Sequence, residues 1–401
     1  MRTSWNFYSA GQLTFGAGSI GQLGDLADRH ALKRVLIVTD RTLDDLGIVN
    51  QVRAPLADTG VVVEVFDGGE AEPSLAVADD SIGVARDFKP DAIVGLGGGS
   101  NMDLAKITAT VLTHDGSPAD YFGFDRIPGP VLPLICVPTT AGTGSEVSHA
   151  AVLTDTANEI KVSTLSNWLR PKLAVVDPQL TYSCPRQVTA DSGIDALTHA
   201  IEAYTATDFA EMHVSEGEPC AYEGRFPVAD VMAEKAIALV GRHLVTAVNE
   251  PDNTIARDGM ALAATLAGIA FSNAGVALVH AMEYPLGGAL HCSHGAGNGL
   301  LLPFVMRFNL PERVETFARI ARLLGESTEG LPAVEAAELA IAHVERLKGE
   351  IGIPLRIRDI GGTADQLASF AEKAFAIRRL FWVNPREATQ EDVVGIYQDA
   401  L

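Results

Sequence analysis

The sequence predicts an α/β domain followed by an all-helical domain, and two features of the chain carry this prediction. Up to about residue 180, short β-branched and apolar runs alternate with helical stretches, which is typical of a doubly wound, mostly parallel sheet. After Pro185 the chain is rich in alanine, has the apolar period of a helix and shows no convincing strand. We therefore expect one domain over residues 1–185 and a second over residues 186–401.

The strands of the first domain are predicted from runs that are apolar along most of their length. They are RVLIVTD (34–40), VVVEVFD (61–67), DAIVGLGGGS (91–100), PLICVPTTAGTG (133–144) and LAVVDP (173–178). Continuous apolar runs are expected of strands that are buried on both faces of a parallel sheet. Because ligands of such sheets bind at the carboxyl ends of the strands, we expect a binding site at that edge.

The second domain is predicted from periodic stretches such as residues 229–248 and 331–351. Residues 207–227 are polar and contain several Gly and Pro, so they are predicted to form a long loop between two helices. The uncharged segment Gly259–Met282 is long enough to span a membrane, but glycines and polar residues interrupt it. We expect two buried helices joined near residues 272–275 instead.

The net charge limits the kinds of partner the protein can bind, and the cysteines indicate its cellular location. The formal net charge of −21 disfavours nucleic acid and anionic membrane surfaces, which need concentrated Lys and Arg. It leaves a phosphate-bearing cofactor open, because backbone N–H groups at a helix N-terminus bind phosphate. The cysteines are scattered without a CxxC pair and the N-terminus has no apolar run of signal-peptide length, so we expect a cytoplasmic protein with reduced thiols.

Two glycine clusters compete for the phosphate. Gly16–Gly21 matches G-x-G-x-x-G and is followed by Asp40, but it precedes the first clearly buried strand. The cluster Gly97, Gly98, Gly99 and Ser100 lies directly between a strand and a helical stretch, where glycines admit a pyrophosphate to a helix N-terminus. The second cluster is the stronger candidate, and an ordinary tight turn is the alternative for each.

Further cofactor candidates follow two of the predicted strands. The segment after the fourth strand supplies hydroxyl groups for ribose, phosphate or the nicotinamide amide, from Thr139, Thr140, Thr143 and Ser145. Asp40 ends the first strand, where a carboxylate accepts hydrogen bonds from the adenosine ribose and repels a 2′-phosphate. That position favours NAD over NADP, and the alternative role for Asp40 is a helix N-cap.

A metal site is predicted from two separate helical segments. Asp195 and His199 stand at i and i+4 of one helix and so project from the same face. His280 and His294 come from a second segment, with His291 beside them in a second-sphere or substrate-facing position. One carboxylate oxygen and three imidazole nitrogens suit Fe²⁺, Zn²⁺, Mn²⁺ or Co²⁺ and leave positions for substrate. Taken singly, an Asp–His pair is also a common surface contact and an isolated histidine a common core residue.

Taken together, these motifs resemble the iron-dependent (group III) alcohol dehydrogenase family. The resemblance is carried by GGGSNMDLAK, PTTAGTGSEVS, the Asp195–His199 pair and VHAMEYPLGGALHCSHGAGNGLLLPFVMRFN, and it extends over nearly the whole chain. It implies the dehydroquinate synthase-like fold, with NAD(P) and a divalent metal in a cleft between the two domains.

By position, the resemblance makes Asp195, His199, His280 and His294 the metal ligands. It implies that Gly98, Gly99 and Ser100 hold the pyrophosphate, that the hydroxyl residues named above lie near the cofactor, and that Lys161 and Leu180 are further cofactor contacts. It also implies that Gly16–Gly21 is not the phosphate loop.

Two positions depart from the family pattern. Many relatives have a histidine, often assigned to proton relay or to the nicotinamide region, where this chain has Tyr284. Tyr284 and the substrate-facing His291 are our candidate catalytic residues. A phenol is a poorer base than imidazole at neutral pH, and packing is the alternative role for Tyr284. The loop over 207–227 looks longer than in typical members and is similar to that of the hydroxyacid–oxoacid transhydrogenase branch.

The predicted function is the metal-dependent interconversion of a primary alcohol and an aldehyde with NAD(H), Fe²⁺ being the first choice of metal. The cation would act as a Lewis acid on the substrate oxygen while hydride passes to the nicotinamide. The alternatives are a transhydrogenase with retained NAD, in which Arg225 is a candidate for binding substrate carboxylate, and a non-catalytic nucleotide- or metal-binding sensor. The resemblance also implies a homodimer or higher homo-oligomer.

Overall fold

The computed structural model describes residues 2–156, 160–212, 214 and 219–401. The chain divides into two compact units, one over Tyr8–Cys184 and one over Pro185–Leu401 with the N-terminal residues up to Phe7. The first unit is α/β and the second is helical.

The α/β unit contains strands β1 (Gln12–Phe15), β2 (Arg34–Val38), β3 (Val62–Phe66), β4 (Ala92–Gly97), β5 (Gly123–Phe124), β6 (Leu134–Pro138), β7 (Ala150–Asp155), β8 (Ile160–Leu165) and β9 (Leu173–Val176). Its helices are α1 (Leu23–Arg29), α2 (Arg41–Asp45), α3 (Ile48–Asp58), α4 (Leu75–Phe88) and α5 (Gly99–His114). Six strands form a parallel sheet in the order β1-β9-β6-β4-β2-β3, which confirms the predicted doubly wound architecture.

Alternating side chains of the central strands supply two cores. In β2, Val35 and Ile37 pack with α1 and α3 on one face, while Leu36 and Val38 pack with α4 and α5 on the other. Successive side chains of a strand point to opposite faces, so a run that is apolar at every position needs helices on both sides. This is why the uninterrupted apolar runs were reliable strand signals.

The strand order brings three loops together at one edge of the sheet. β4 lies between β2 and β6, and Gly97 at the end of β4 is in register with Pro138 at the end of β6. The chain forms β3 on one side of β2 and β4 on the other, so the direction of sheet growth reverses here. A crevice at the carboxyl ends of the strands is expected at such a switch point.

A second, three-stranded sheet in the order β5-β8-β7 was not anticipated from the sequence. β7 and β8 pair antiparallel, with residues 157–159 between them lying outside the described residues. Their sequences, AAVLTD and IKVSTL, are only partly apolar because each strand is only partly buried. Short, mixed strands lack the continuous pattern that identified the main sheet.

The helical unit contains α6 (Arg186–Thr205), α7 (Pro227–Asn249), α8 (Thr254–Ala274), α9 (Leu278–Leu290), α10 (His294–Asn309), α11 (Val314–Leu323), α12 (Ala333–Ile351), α13 (Leu367–Phe375), α14 (Arg378–Val383) and α15 (Gln390–Ala400). As predicted, a connection without regular structure joins α6 to α7, although its residues 213 and 215–218 lie outside the described residues. In the described part of this unit the strand-like pairing is limited to one isolated bridge, between Asp208 and Arg225.

The N-terminal residues differ from the predicted domain boundary. We expected all of residues 1–185 in the first domain, whereas residues 2–7 group with the helical unit. Arg2 forms a buried ion pair with Glu223, Asn6 donates to the same carboxylate at 3.0 Å, and Trp5 stacks on Phe226. These contacts are made far along the chain, so the local sequence pattern gave no sign of them.

The uncharged segment forms two helices, as expected. α8 ends at Ala274 and α9 begins at Leu278. Among the described residues, α8 is the one helix long and apolar enough to cross a membrane by length and composition, and 67% of its most apolar window is buried within the protein. Core helices of folded proteins pass the same test, so this composition is weak evidence for a membrane.

Candidate metal centre and cofactor site

Three of the four predicted metal ligands come together in the helical unit. Asp195 on α6, His280 on α9 and His294 at the start of α10 each offer a ligand atom, and these atoms lie within 4.8 Å of one another. Asp195 Oδ1 and His280 Nε2 are 4.0 Å apart, and both residues are buried. His294 remains partly exposed, so the cluster is open on the side of this imidazole.

The fourth predicted ligand, His199, lies beside this cluster and is not part of that mutually close group. Its Nδ1 is 3.8 Å from Asp195 Oδ2, as expected for residues one helical turn apart. Its ring stacks between Phe271, at 4.2 Å between centroids, and His280, at 4.8 Å. His199 therefore borders the ligand cluster, and its coordination of a metal stays a prediction.

Two buried carboxylates orient the imidazoles. Glu202 on α6 lies 2.5 Å from His280 Nδ1 and also accepts from the N–H groups of Ala277 and Val279 at the start of α9. Glu283 lies 2.5 Å from His294 Nδ1. Each carboxylate is placed to accept from Nδ1, and an imidazole that donates there has its Nε2 lone pair available for a metal.

Neither carboxylate was predicted from the sequence, although a signal for each was present. Glu202 follows Asp195 and His199 on the same face of α6, and Glu283 comes one turn after His280 on α9. An acid one turn beyond a candidate histidine is a common surface pattern, so it acquires meaning only when both side chains are buried. The pairing of Glu283 with His294 crosses from α9 to α10 and needed the tertiary structure.

Asn298 on α10 marks the point on which the ligand atoms converge. Its buried amide nitrogen lies 2.8 Å from Asp195 Oδ1, 3.2 Å from His280 Nε2 and 3.1 Å from His294 Nε2. Three acceptors thus face one electropositive group. Among the described residues, Asn298 Oδ1 and Glu283 Oε1 are also buried without a hydrogen-bond partner. A buried excess of acceptors is satisfied by a cation, and this mixed O/N donor set fits a divalent metal of borderline hardness.

The charges of the cluster also suit a cation. Burial by itself would raise the pKa of Asp195, but the imidazoles of His199, His294 and His280 and the amide of Asn298 lower it below the usual value. Asp195 is therefore ionised at neutral pH and available as a ligand. Such a buried carboxylate needs hydrogen-bond donors or a cation beside it.

Glycines at the start of α10 allow its close approach to α6 and α9. A Cβ atom at Gly295 would lie 2.0 Å from the carbonyl oxygen of Asp191 on α6. A Cβ atom at Gly297 would lie 2.8 Å from Glu283 Cγ, and one at Gly299 would lie 2.7 Å from Ile194. The sequence HGAGNG thus brings His294 and Asn298 into the cluster by omitting side chains from the packed face of α10.

The candidate catalytic residues occupy contrasting positions. The Tyr284 ring stacks on His294, with centroids 5.9 Å apart, so it borders the ligand cluster. Burial raises the pKa of its phenol, opposed in part by Arg379, and Tyr284 is therefore a hydrogen-bond donor rather than a base at neutral pH. His291 is exposed and ends α9 in a left-handed conformation (φ 53°). Its contact with a substrate stays a prediction.

In the α/β unit, the Gly98–Ser100 turn has the geometry of a phosphate site. Gly97 has a φ of 142°, and α5 begins at Gly99 with no side chain capping its N–H groups. A Cβ atom at Gly99 would lie 3.0 Å from Thr143 Cγ2, and one at Gly98 would lie 3.6 Å from Thr140 Oγ1. Glycine thus leaves a cradle between this turn and the loop after β6, with free helix N–H groups along it.

The other predicted cofactor residues lie around this turn or are engaged within the fold. Thr139 and Ser145 are buried, and the Ser145 hydroxyl donates to Asp103 at 2.7 Å. Ser100 Oγ accepts from the Glu72 N–H at 3.3 Å, and Lys161 Nζ is 2.6 Å from Glu72 Oε1.

Leu180 and Asp40 are predicted cofactor contacts, and each also has a structural role. The Leu180 side chain is part of the core on the α1 and α3 face. Asp40 caps α2 by accepting from the Leu43 N–H, and its other oxygen accepts from Asn101 at 2.7 Å. The N-cap role that we kept as an alternative is therefore real. Asn101 holds the carboxylate at the carboxyl edge of β2, where a ribose contact stays a prediction.

Two other candidate binding groups, the Gly16–Gly21 turn and Arg225, already pair with carboxylates of the protein. The N–H groups of Gly18 and Ile20 donate to the carboxylate of Asp177, each at 3.1 Å. The Gly16–Gly21 turn thus surrounds an internal anion and is not a phosphate loop. Arg225 donates to Asp230 at 2.7 Å and lies 3.8 Å from Asp208, so it is neutralised within the helical unit.

Comparison with known proteins identifies the family to which the chain belongs. The family description "Iron-containing alcohol dehydrogenase" matches residues 10–178, and "Fe-containing alcohol dehydrogenase family, C-terminal" matches residues 189–401. The chain is 38% identical over 390 residues to long-chain-alcohol dehydrogenase 1 of Geobacillus thermodenitrificans (strain NG80-2), covering 96% of this chain and 94% of that relative.

Two further relatives cover the chain almost completely. The NAD-dependent methanol dehydrogenase of Bacillus methanolicus is 35% identical over 396 residues, covering 99% of this chain and 100% of that protein. The crystal structure of a 1,3-propanediol oxidoreductase matches with a TM-score of 0.93 and 37% identity, over 99% of this chain and 100% of that one. The chain therefore belongs to the iron-containing alcohol dehydrogenase family of NAD-linked alcohol and aldehyde oxidoreductases.

Proposed function

We propose that the protein interconverts a primary alcohol and its aldehyde, with NAD(H) in the α/β unit and a divalent metal, Fe²⁺ first, in the helical unit. The observation that supports this most directly is the convergence of Asp195, His280 and His294 within 4.8 Å of one another. We include His199, which borders them, as the fourth ligand. A cation held there would supply a Lewis acid that lowers the pKa of an alcohol hydroxyl.

The chain's own residues would prepare the site for this reaction. Glu202 and Glu283 hold the two imidazoles in the tautomer that presents Nε2, and Asn298 fixes the Asp195 carboxylate at 2.8 Å. Tyr284, beside His294, would donate a hydrogen bond to the substrate oxygen, since its phenol keeps its proton. His291, exposed at the end of α9, would contact substrate or exchange a proton with solvent.

For the cofactor, we propose that the N-terminus of α5 and the Gly98–Ser100 turn hold the pyrophosphate, where free N–H groups and the helix dipole favour an anion. Thr139, Thr140 and Thr143 would line the same cradle, and Asp40 would select NAD over NADP. Lys161 and the main chain at Leu180 would complete the contacts. NAD would supply the hydride acceptor. The methanol dehydrogenase relative is named as an NAD-dependent enzyme.

The test combines metal loading with single substitutions. The purified protein is stripped of metal, reloaded with Fe²⁺, Zn²⁺ or Mn²⁺, and assayed with alcohols, aldehydes and hydroxyacids against NAD(H) and NADP(H). Asp195→Ala and His280→Ala should lose bound metal and turnover together while circular dichroism shows an intact fold. His243→Ala, in α7 and outside the cluster, is the matched control and should retain both. Full turnover by the metal-free protein would overturn the proposal.

The transhydrogenase alternative predicts a different result in the same assay. It requires turnover of a hydroxyacid–oxoacid pair without added NAD. Arg225, the residue considered for binding the substrate carboxylate, is already paired with Asp230 and Asp208, so the structure offers it less support than the alcohol reaction. Activity that depends on exchangeable NAD(H) with simple alcohols favours the dehydrogenase.

We also propose a cytoplasmic location and a homodimer or higher homo-oligomer. None of the four cysteines, all of which are among the described residues, is in a disulfide bond, which suits a reducing compartment. The oligomeric state rests on family resemblance, and sedimentation velocity of the purified protein would measure it directly.

A further inference from the structure

A buried tyrosine of the last helix has no part in the chemistry described so far. Tyr397 lies on α15, and its side chain is completely buried in the helical unit. Its hydroxyl donates to the main-chain carbonyl of Met282 on α9 at 2.5 Å, across 115 residues of sequence. Burial, with the nearby charge of Glu283, raises the pKa of the phenol well above its usual value. The hydroxyl therefore keeps its proton and acts as a donor to the middle of α9.

The carbonyl that Tyr397 binds lies between two residues of the candidate metal centre. Met282 comes two residues after His280, which offers one of the three converging ligand atoms. It directly precedes Glu283, whose carboxylate orients His294. The position of this carbonyl thus affects how α9 presents the Glu283 carboxylate to α10.

The same turn of α9 is weakened by its own sequence. A helical carbonyl normally accepts from the N–H four residues later, but Pro285 has no N–H to give to the carbonyl of Ala281. The proline ring also crowds that carbonyl, so the helix itself holds this turn less firmly. Glu202 holds the beginning of α9, before this turn. The hydroxyl of Tyr397 gives the weakened turn a partner from outside the helix.

The Glu283 carboxylate has little room in which to correct a shift of α9. Its side chain is fully buried, and a Cβ atom at Gly287 would lie 2.2 Å from its Oε1. A Cβ atom at Gly297 would lie 2.8 Å from its Cγ. In such close packing, a displacement of the turn is passed on to the imidazole of His294. α15 also packs against α10, so it contacts both helices that carry the imidazoles.

We propose that Tyr397 is a positioning residue of the metal centre. Its hydroxyl fixes the turn of α9 at Met282, and through this turn the carboxylate of Glu283, which orients His294. This rests on the proposed metal site in the helical unit. A ligand that is oriented before the cation arrives costs less to order on binding, so the benefit is in metal affinity.

The experiment compares two tyrosines that each donate to a main-chain carbonyl. Tyr397→Phe removes the hydroxyl and keeps the ring. Tyr121→Phe is the matched control, because the Tyr121 hydroxyl donates to the carbonyl of Asp115 at 2.8 Å in the α/β unit. Competition titrations measure the affinity of the purified, metal-stripped proteins for Zn²⁺.

Tyr397→Phe should weaken Zn²⁺ binding. Loss of a group that directly orients a metal ligand costs roughly 10- to 100-fold in affinity, and Tyr397 acts one contact further away, so we expect a loss of roughly fivefold. Tyr121→Phe should bind Zn²⁺ as the wild type does. Both variants should unfold at a lower temperature, since each loses a buried hydrogen bond.

A double-mutant cycle separates action through Glu283 from a general loosening of the fold. Glu283→Gln removes the carboxylate that Tyr397 is proposed to hold, so adding Tyr397→Phe to it should cost little further Zn²⁺ affinity. A general structural effect would instead multiply with the loss caused by Glu283→Gln.

Phe370→Leu covers the case in which Tyr397→Phe does not fold. Phe370 on α13 packs edge to face against the Tyr397 ring, with centroids 6.0 Å apart. The smaller side chain loosens the tyrosine without removing its hydroxyl. Zn²⁺ affinity should fall in the same direction by a smaller factor.

Each outcome has one meaning. Wild-type Zn²⁺ affinity in folded Tyr397→Phe, or in Phe370→Leu if that is the variant that folds, would overturn the positioning role and leave the proposed function intact. Equal losses in Tyr397→Phe and Tyr121→Phe, or losses that multiply in the double variant, would also overturn it. A wild-type protein that binds no divalent metal would overturn the proposed function, and the role of Tyr397 with it.

Discussion

The ligand cluster of the helical unit and the glycine turn of the α/β unit are built in opposite ways. The cluster consists of one carboxylate from α6 and two imidazoles from α9 and α10, and each of these imidazoles has its own carboxylate partner. The turn consists of backbone, supplied by one strand–helix connection and shaped by residues with no side chain. A site made of buried charges needs many specific partners, whereas a site made of N–H groups needs space and a helix end.

This difference predicts different kinds of fragility. In the cluster, replacing one carboxylate oxygen of an imidazole's partner should lower metal affinity, because each imidazole is oriented by a single hydrogen bond. In the glycine turn, charge changes nearby should matter less than an added methyl group, because the backbone geometry forms the site. Substitutions in the ligand cluster and in the glycine turn test this contrast.

The largest effect is expected when the imidazole partners are changed. Glu283→Gln and Glu202→Gln each replace a carboxylate oxygen by an amide and weaken the hold on Nδ1, and roughly 10- to 100-fold loss of metal affinity is typical of such changes. Metal competition titrations measure it. Glu202→Gln should cost more, since Glu202 also holds two N–H groups of α9. Glu234→Gln, whose carboxylate pairs with Arg319, is the control, and equal metal affinity in all variants would refute the contrast.

A methyl group in the phosphate turn should come next. Gly99→Ala places a Cβ atom 3.0 Å from Thr143 Cγ2, so the cradle must widen and NAD⁺ affinity should fall roughly tenfold. Metal affinity should not change. Gly83→Ala, on the exposed side of α4 where a Cβ atom meets nothing within 4 Å, should keep NAD⁺ affinity and stabilise the helix by up to about 1 kcal/mol. If both variants bind NAD⁺ as wild type does, the turn is not the phosphate site.

A smaller effect is expected from the charge at Asp40. Asp40→Ser keeps an N-cap for α2 and removes the carboxylate, so the preference for NAD⁺ over NADP⁺ should fall by roughly threefold while stability changes little. The ratio of kcat/KM for the two cofactors measures it. Asp45→Ser, near the end of the same helix, is the control. An unchanged ratio in Asp40→Ser would assign Asp40 to the N-cap role alone.

The smallest effect concerns Lys348, the buried lysine of the helical unit. Burial, with repulsion from Arg356, lowers the pKa of its ammonium group from 10.5 to about 8. Between these values the unfolded chain holds a proton that the folded protein has released, so the free energy of unfolding should rise with pH in this window. Lys348→Met should remove the rise, as denaturant titrations from pH 7.5 to 10.5 would show. The exposed Lys235→Met should keep it, and a rise that persists in Lys348→Met would assign it to other groups.

The sequence by itself determined the main elements and the candidate residues that they carry. The main strands were identifiable because burial on both faces demands apolar residues at every position, and Asp195 with His199 because helix geometry is local. The turn before α5 was identifiable because glycines between a strand and a helix have few other uses. The second sheet and the position of residues 2–7 were not predicted, because partly buried strands and long-range contacts produce little apolar periodicity in the local sequence.

Only the tertiary structure decided which of these groups meet. It paired Glu283 with His294 across two helices, converged three ligand atoms on Asn298, and filled the Gly16–Gly21 turn with the carboxylate of Asp177. The physical reason is that a buried charge or N–H group must pair with a nearby group, because water is no longer there to bind it. Which group lies nearby depends on the packing of elements that are far apart in the chain.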